Sequence, residues 1–286
     1  MSKTFQYIAV LTIAGSDSGG GAGIQADLKT FSALGCYGTS AITTITVQNT
    51  LGVTAIHPIP ADIVRGQVVA VLEDIKPSAI KIGIVQSADQ VLSIAEVLKT
   101  YPHIPVILDP VMVSTSGFHL INQGTLVSLQ QAIFPLTSLV TPNLDEAEIL
   151  ANMKISTVDD MKEAASRIIQ TGCKAVLVKG GHLNGPDLFD VYQDRNGVEH
   201  IFTSIAVQTS NTHGTGCTLS AAIAAFIALG HNMPQAIEKA KGFVQQAIIE
   251  GKHVKTGEGK GPLNHFFDAR NLIRKAWNTG DHMYLG

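Results

Sequence analysis

The sequence predicts an α/β protein built on a mainly parallel sheet covered on both faces. Three observations carry this. Apolar runs of strand length alternate with helical stretches along most of the 286 residues. Several runs, among them Tyr7–Ile13, Pro105–Asp109 and Ala175–Lys179, are nearly continuously apolar, as strands buried on both faces are. Polar residues gather where the runs end, at Asp17, Gln48, Asp109, Asn143 and Lys179. Open parallel sheets bind their ligands at those carboxyl ends.

The elements follow in order. Tyr7–Ile13 reads as a strand, and a glycine-rich turn follows it. Ala22–Leu34 carries Ile24, Leu28, Phe31 and Leu34 on one helical face, and Gly35 closes it as a C′ glycine. Gly38–Gln48 is rich in β-branched residues and reads as a strand. Val53–Ile59 reads as an edge strand, because Pro58 and Pro60 cannot donate to a ladder. Helices are expected at Ala61–Asp74, Ala88–Leu98, Leu120–Gln131, Asp145–Leu150 and Val158–Gln170. Strands are expected at Ala79–Ile84, Pro105–Asp109, Ser138–Thr141 and Ala175–Lys179. Leu188–Gln193 and Glu199–Thr203 form a hairpin around Asp194–Gly197. Two helices, Gly214–Leu229 and Met233–Glu250, complete the set.

Hydrophobic residues make up 45% of the chain and charged residues 15%, which suits a large buried core. A net charge of −3 gives no basic footprint for nucleic acid or anionic membrane. The three cysteines, Cys36, Cys173 and Cys217, are far apart and odd in number. They predict reduced thiols in a cytoplasmic setting and lack paired metal-ligand spacing. The apolar run Tyr7–Ala14 is too short to span a bilayer, and no cleavage pattern follows it. No repeat or long linker divides the chain, so one continuous domain is expected.

The turn Asn211-Thr212-His213-Gly214-Thr215-Gly216-Cys217 feeds a helix that is small or apolar on all sides, hence buried. It delivers unpaired N–H groups and the positive end of a helix dipole to one spot, which is an anion site. Gly214 and Gly216 let the backbone approach the anion. Cys217 stands in the first turn, where a thiol's pKa is expected to fall toward a usable thiolate. An ordinary cap at Thr212 or Thr215 with a buried Cys217 is the plainer reading of the same residues. The Gly15–Gly23 turn is read as a second glycine-rich anion site. No G-x-x-x-x-G-K-[ST] pattern is present, and Gln48 stands where a dinucleotide fold would carry an acid. Two anion sites with Asp, Asn, Glu and Lys at strand ends fit phosphoryl transfer better.

Ordered motifs carry a resemblance. They are Ala14–Thr30, Thr46-Val47-Gln48-Asn49-Thr50, Leu108-Asp109-Pro110-Val111-Met112, Thr141–Glu148, Val178-Lys179-Gly180-Gly181-His182, Asn211–Ser220 and Gly261–Phe266. The sequence resembles the hydroxymethylpyrimidine/phosphomethylpyrimidine kinases of thiamine biosynthesis, a branch of the ribokinase-like superfamily. The resemblance spans residues 7 to 267. It implies a three-layer α/β/α ribokinase-like fold in one kinase domain, residues 1–267, followed by a C-terminal extension, residues 268–286. It further implies ATP and Mg²⁺, a small pyrimidine substrate and a homodimer.

Carried over residue by residue, the resemblance places Gln48, Asp27, Gly21, Val111 and His213 at the substrate. Gln48 offers donor and acceptor to the aminopyrimidine edge. Lys179, Thr212 and Asn143 fall at the nucleotide, and Asp109 and Glu146 at Mg²⁺. Gly214, Thr215, Gly216 and Cys217 fall at the transferring phosphoryl group, with Cys217 as base. On spacing alone Asn143 and Glu146 equally form a capping box, and His213 is equally a structural histidine. Ile84 departs from the methionine common in such kinases, and Gly19 from a serine or proline. A frayed tail is the default for 268–286, with Trp277, Met283, Tyr284 and Leu285 able to dock on a neighbour.

Three other readings stand beside this one. A pyridoxine/pyridoxal kinase of the same lineage is the nearest, and Gln48-Asn49-Thr50 argues against it. A Cys217/His213 acyl transferase would require a covalent intermediate. A sensing module would bind a sugar or nucleotide without turnover.

Overall fold

The computed structural model describes residues 4–112, 121–181 and 187–276. The chain opens with the short strand β1 (Phe5–Tyr7), then β2 (Ala9–Asp17), α1 (Gly23–Ala33) and β3 (Tyr37–Asn49). A turn at Thr50 and Leu51 leads into β4 (Gly52–Pro58). Next come α2 (Ala61–Asp74), β5 (Ala79–Ile82), α3 (Ala88–Lys99) and β6 (Val106–Leu108). Helix α4 (Gln123–Ser128) is followed by β7 (Leu139–Val140), α5 (Leu144–Ala151), α6 (Val158–Gln170) and β8 (Ala175–Lys179). The hairpin β9 (Asp187–Asp194) and β10 (Glu199–Ile205) precedes α7 (Thr215–Ala228), α8 (Met233–Gly251) and the short β11 (Arg274–Ala276).

Nine strands make the main sheet, in the order β10-β9-β8-β7-β6-β5-β2-β3-β4. The six from β8 to β3 are parallel, and an antiparallel strand or hairpin lies outside them at each end. The chain passes from β2 to β3 on one side and then returns to β5 on the other, so the strand order reverses at β2. Such a reversal opens a crevice at the carboxyl ends.

Both faces of the sheet are buried, and alternate side chains of one strand enter different cores. Leu11, Ile80, Leu108, Val140 and Val176 pack under α2, α3, α5 and α6. Val10, Ala79, Ile107, Leu139 and Leu177 pack under α7 and its neighbours α1 and α8. This is the three-layer α/β/α arrangement of the ribokinase-like fold. Helix α7 is wedged between α1, α8 and the sheet, which explains why Ala221–Ala225 are fully buried on every side.

Local signals explain the boundaries. Gly35 has φ +83 after α1, and the Cys36 amide returns to the Phe31 carbonyl at 2.8 Å. Capping boxes start α5 at Asn143, α6 at Thr157 and α8 at Asn232. The helix expected at Leu120–Gln131 begins at Gln123 after the Asn122 cap; Leu120 lies outside the described residues. It widens to a π turn over Leu129–Ile133 and ends in a tight turn at Phe134–Leu136, where Pro135 has no N–H to continue the ladder.

Part of the C-terminal extension is tied to the domain. β11 pairs antiparallel with β1, and the Arg270 and Ile273 amides donate to the Ala33 and Gly35 carbonyls. Trp277, Met283, Tyr284 and Leu285 lie outside the described residues. No described helix is long and apolar enough to cross a membrane.

Candidate active site

One cleft of about 940 Å³, including its open mouth, runs along the carboxyl edge of the parallel strands. Every parallel strand contributes to it: Asp17 from β2, Gln48 from β3, Lys81 from β5, Asp109 beyond β6, Asn143 beyond β7 and Lys179 from β8. Thr212, His213, Gly214, Thr215, Gly216 and Cys217 close it from the mouth of α7, and Val111 and Glu146 line it as well. Gly21 and Asp27 do not line it.

The mouth of α7 is capped by Gly214 at φ +84 with no side-chain cap bond. The Thr215 amide is spent on the Thr212 carbonyl at 3.3 Å, and the Thr218 amide on Gly214 at 2.9 Å. The amides of Gly214, Gly216 and Cys217 have no protein acceptor among the described residues. They form an open anion cradle. A side chain on Gly214 would lie 1.9 Å from the Gly21 carbonyl oxygen, and one on Gly21 would lie 2.4 Å from the His213 ring. The two glycine-rich turns therefore interlock, and Gly21 packs beneath His213 instead of lining the substrate space.

The N-terminal turn is not a second open anion site. Its amides are already occupied by the turn's own carboxylate. Asp17 Oδ1 accepts from Gly19 at 2.8 Å, and Oδ2 accepts from Gly21 at 3.1 Å and Ala22 at 2.9 Å. His213 Nε2 also meets Oδ2 at 2.9 Å. Burial alone would raise the Asp17 pKa, but the His213 bond and the amides of Ala22 and Gly19 outweigh it and hold the carboxyl below its usual value. The expectation of two anion sites is corrected to one.

Gln48 enters the cleft where β3 and β4 shift register between Val47 and Gln48. The Ser18 hydroxyl holds its backbone from both sides, accepting from the Gln48 amide at 2.9 Å and donating to its carbonyl at 2.6 Å. The side-chain amide lies 3.1 Å from Thr46 Oγ1 and 3.3 Å from His213 Nε2. Asp17, His213 and Gln48 thus form one connected wall.

At the other end, Lys179 Nζ donates to Asp109 Oδ1 at 3.0 Å, and Thr141 Oγ1 approaches the same oxygen at 3.3 Å. A Cβ on Gly216 would lie 3.3 Å from Lys179 Nζ and 3.5 Å from Asp109 Oδ2, so the helix mouth and this ion pair face each other at close range. Asn143 and Glu146 form the capping box that spacing allowed: Asn143 Oδ1 accepts from the Glu146 amide at 2.8 Å, and Glu146 Oε2 from the Asn143 amide at 2.9 Å. Both nonetheless border the cleft. Burial pushes the Glu146 carboxyl up to about 7, with Asp109 adding to this and Lys179 and the Asn143 and Met112 amides opposing it.

Among the described residues no group of three or more His, Cys, Asp or Glu side chains could cage a metal ion. Asp109 and Glu146 fit Mg²⁺ in another mode, in which one or two carboxylates share the ion with phosphates and waters.

Two expectations require correction. Asp27, expected at the substrate, is fully buried: both its oxygens meet Lys81 Nζ, at 3.0 and 2.8 Å, and Thr12 Oγ1 donates to Oδ2 at 2.6 Å. Cys217, expected as a ready thiolate, is held where ionisation is disfavoured. Burial pushes it up to about 11, and Asp27 and Asp109 act the same way, against Lys81 and the Gly23 amide. Desolvation acts against the effect expected of a helix N-terminus. Lys81 itself escaped the sequence reading. A lysine inside Ala79-Ile80-Lys81-Ile82, on the inward alternation of a buried strand, was the available signal.

Residues 17–264 match the family model for phosphomethylpyrimidine kinase. The chain belongs to this family. A hydroxymethylpyrimidine/phosphomethylpyrimidine kinase from Rhizobium meliloti is 46% identical over 257 residues, 90% of this chain and 96% of that protein. The crystal structure of a phosphomethylpyrimidine kinase from Clostridium difficile has a TM-score of 0.75 and 45% identity, covering 84% of this chain and 99% of that one. A Staphylococcus aureus pyridoxal kinase in complex with AMP-PCP and pyridoxal has a TM-score of 0.82 at 35% identity, covering 91% and 94%. The chain spans 53% of the length of a bifunctional thiamine biosynthesis protein that it also matches. The fold and the kinase class expected from the motifs are those of the family.

Proposed function

We propose that this cleft transfers the γ-phosphoryl group of ATP to the hydroxymethyl oxygen of hydroxymethylpyrimidine, and then phosphorylates the resulting monophosphate to the pyrophosphate. The observation that carries this reading is the set of unpartnered Gly214, Gly216 and Cys217 amides facing the Lys179–Asp109 pair, with Gln48 along the same cleft.

Gln48 reads the amino group and ring nitrogen of the pyrimidine, and Val111 borders the same space. Lys179 and Thr212 neutralise the phosphates, with Asn143 beside them. Asp109 and Glu146 would hold Mg²⁺, which would offset charge on the phosphate oxygens. The hydroxyl oxygen forms the new O–P bond as the bond to the bridging oxygen breaks, and ADP leaves with that electron pair. Charge on the moving phosphoryl oxygens is met by the α7 amides, each well-placed donor being worth about 3 kcal/mol. The hydroxyl proton passes late to Cys217 in its ionised form. His213 supports the substrate wall through Asp17 and Gln48.

A homodimer is part of the same proposal. Ile45, Val47 and Leu51 on the β3–β4 hairpin are exposed and offer an apolar face to a second copy; sedimentation analysis tests it. A cytoplasmic setting agrees with the buried, unpaired Cys36 and Cys173.

A coupled ADP-release assay compares hydroxymethylpyrimidine with pyridoxal as acceptor. The reading predicts faster turnover of the pyrimidine and a preference that collapses in Gln48→Ala. Turnover of pyridoxal alone would replace it with the pyridoxal kinase reading, and no ADP release with either would remove kinase activity on these alcohols.

A further inference from the structure

The buried pair beneath Cys217 has a feature that packing does not explain. Lys81 is fully buried on β5, on the sheet face it shares with Ala79 and beside the buried Thr12 of β2. Its two hydrogen bonds among the described residues both go to Asp27. An ammonium has three N–H groups, so one has no described protein acceptor. Lys81 borders the cleft, whereas its partner Asp27 does not. Cys217 borders the cleft at the mouth of α7, the helix that packs against β5. A buried ion pair is rarely retained for stability alone, since its desolvation commonly offsets its attraction.

We propose that Lys81, clamped by Asp27, is a positioning residue that supports negative charge at Cys217 during proton transfer from the substrate hydroxyl. The asymmetry of the pair is the device. Asp27 fixes the ammonium from behind and lies outside the cleft, whereas Lys81 borders it together with Cys217. The groups around Cys217 are Lys81 from β5, Lys179 from β8, Asp27 from α1, Asp109 beyond β6 and the Gly23 amide; the two lysines and that amide favour the charged sulfur, and the two carboxylates oppose it. Burial would pull the Lys81 ammonium down, but Asp27, Cys217 and Asp109 together hold it above its usual range, so it stays charged. The thiol first loses its proton to solvent; the substrate proton then moves to the sulfur as the O–P bond forms and the bond to the bridging oxygen breaks, which restores the thiol. This inference rests on the kinase reading, but its first readout needs no substrate.

The test follows alkylation of Cys217 by iodoacetamide against pH in the full chain; Cys36 and Cys173 are fully buried and serve as internal controls. Lys81→Met should raise the alkylation midpoint by about one pH unit, and Asp27→Asn should lower it. A merely structural role would move both variants in the same direction or neither, and either result overturns the proposal. If the single variants do not fold, the Lys81→Met/Asp27→Leu pair, which buries no charge, should keep a midpoint above the parent; an unchanged midpoint overturns the proposal. In the kinase assay Lys81→Met should lower kcat at least tenfold with KM for ATP unchanged. A parent that alkylates as expected but releases no ADP would sink the kinase reading and leave the Lys81 result standing.

Discussion

Asp17 and His213 lie 196 positions apart and meet at 2.9 Å, Oδ2 to Nε2. This contact joins the turn after β2 to the turn before α7 and sets the wall on which Gln48 stands. Asp17→Ala would strip the acceptor from three backbone amides and the histidine. Charged hydrogen bonds of this kind lead us to expect a loss of about 3 kcal/mol in urea unfolding. The sign with pH follows from the lowered Asp17 pKa. Its contribution is present above the ordinary carboxylate value and is lost as pH falls through the lower folded value. The gap between parent and variant should close in acid.

Gln48→Ala should raise KM for the pyrimidine roughly tenfold or more, the cost of an unmet polar pair, and leave KM for ATP as it was. Steady-state kinetics with each substrate varied in turn checks this. An equal rise in both constants would mean that Gln48 shapes the cleft instead of reading the ring.

Gly214→Ala meets two obstacles together: φ +84 and a carbonyl oxygen 1.9 Å from the new Cβ. The turns must separate for the residue to fit. Turnover should fall at least a hundredfold, about 3 kcal/mol of transition-state stabilisation, while circular dichroism keeps its helical signal.

His265 is buried against α7, with Nε2 2.9 Å from Thr218 Oγ1. Burial lowers its pKa to about 4, helped by Lys29 and opposed by the Leu263 backbone. An unfolded histidine titrates near 6.5, so the stabilisation is present above that value and drains away between about 6.5 and about 4. Unfolding free energy should fall by up to about 3 kcal/mol across that window, and His265→Phe should flatten the slope.

Much of this architecture was legible because local rules and global fold agree. Helices α2 and α6 and strand β8 occupy the stretches their periodicity predicts, and the polar strand ends converge as a parallel sheet requires. What escaped depends on partners distant in sequence. Phe5–Tyr7 and Arg274–Ala276 are too short to read as strands until they pair. The glycines of the first turn advertise free amides, but nothing local says that Asp17 bends back to take them. Asp27 and Lys81 stand 54 positions apart; Asp27 alone reads as a surface charge, and nothing local joins it to a lysine inside an apolar strand. The thiol of Cys217 follows the same logic: helix position argues for a low pKa, and the burial that reverses it is a property of the assembled cleft.

The whole mechanism depends on the amides at the mouth of α7 receiving the phosphoryl group. A crystal structure with AMP-PCP and the pyrimidine alcohol tests it most directly. The terminal phosphate should lie within hydrogen-bonding distance of the Gly216 and Cys217 amides, with the hydroxymethyl oxygen between it and Cys217. A terminal phosphate seated on the 17–22 turn, or away from both turns, would contradict it.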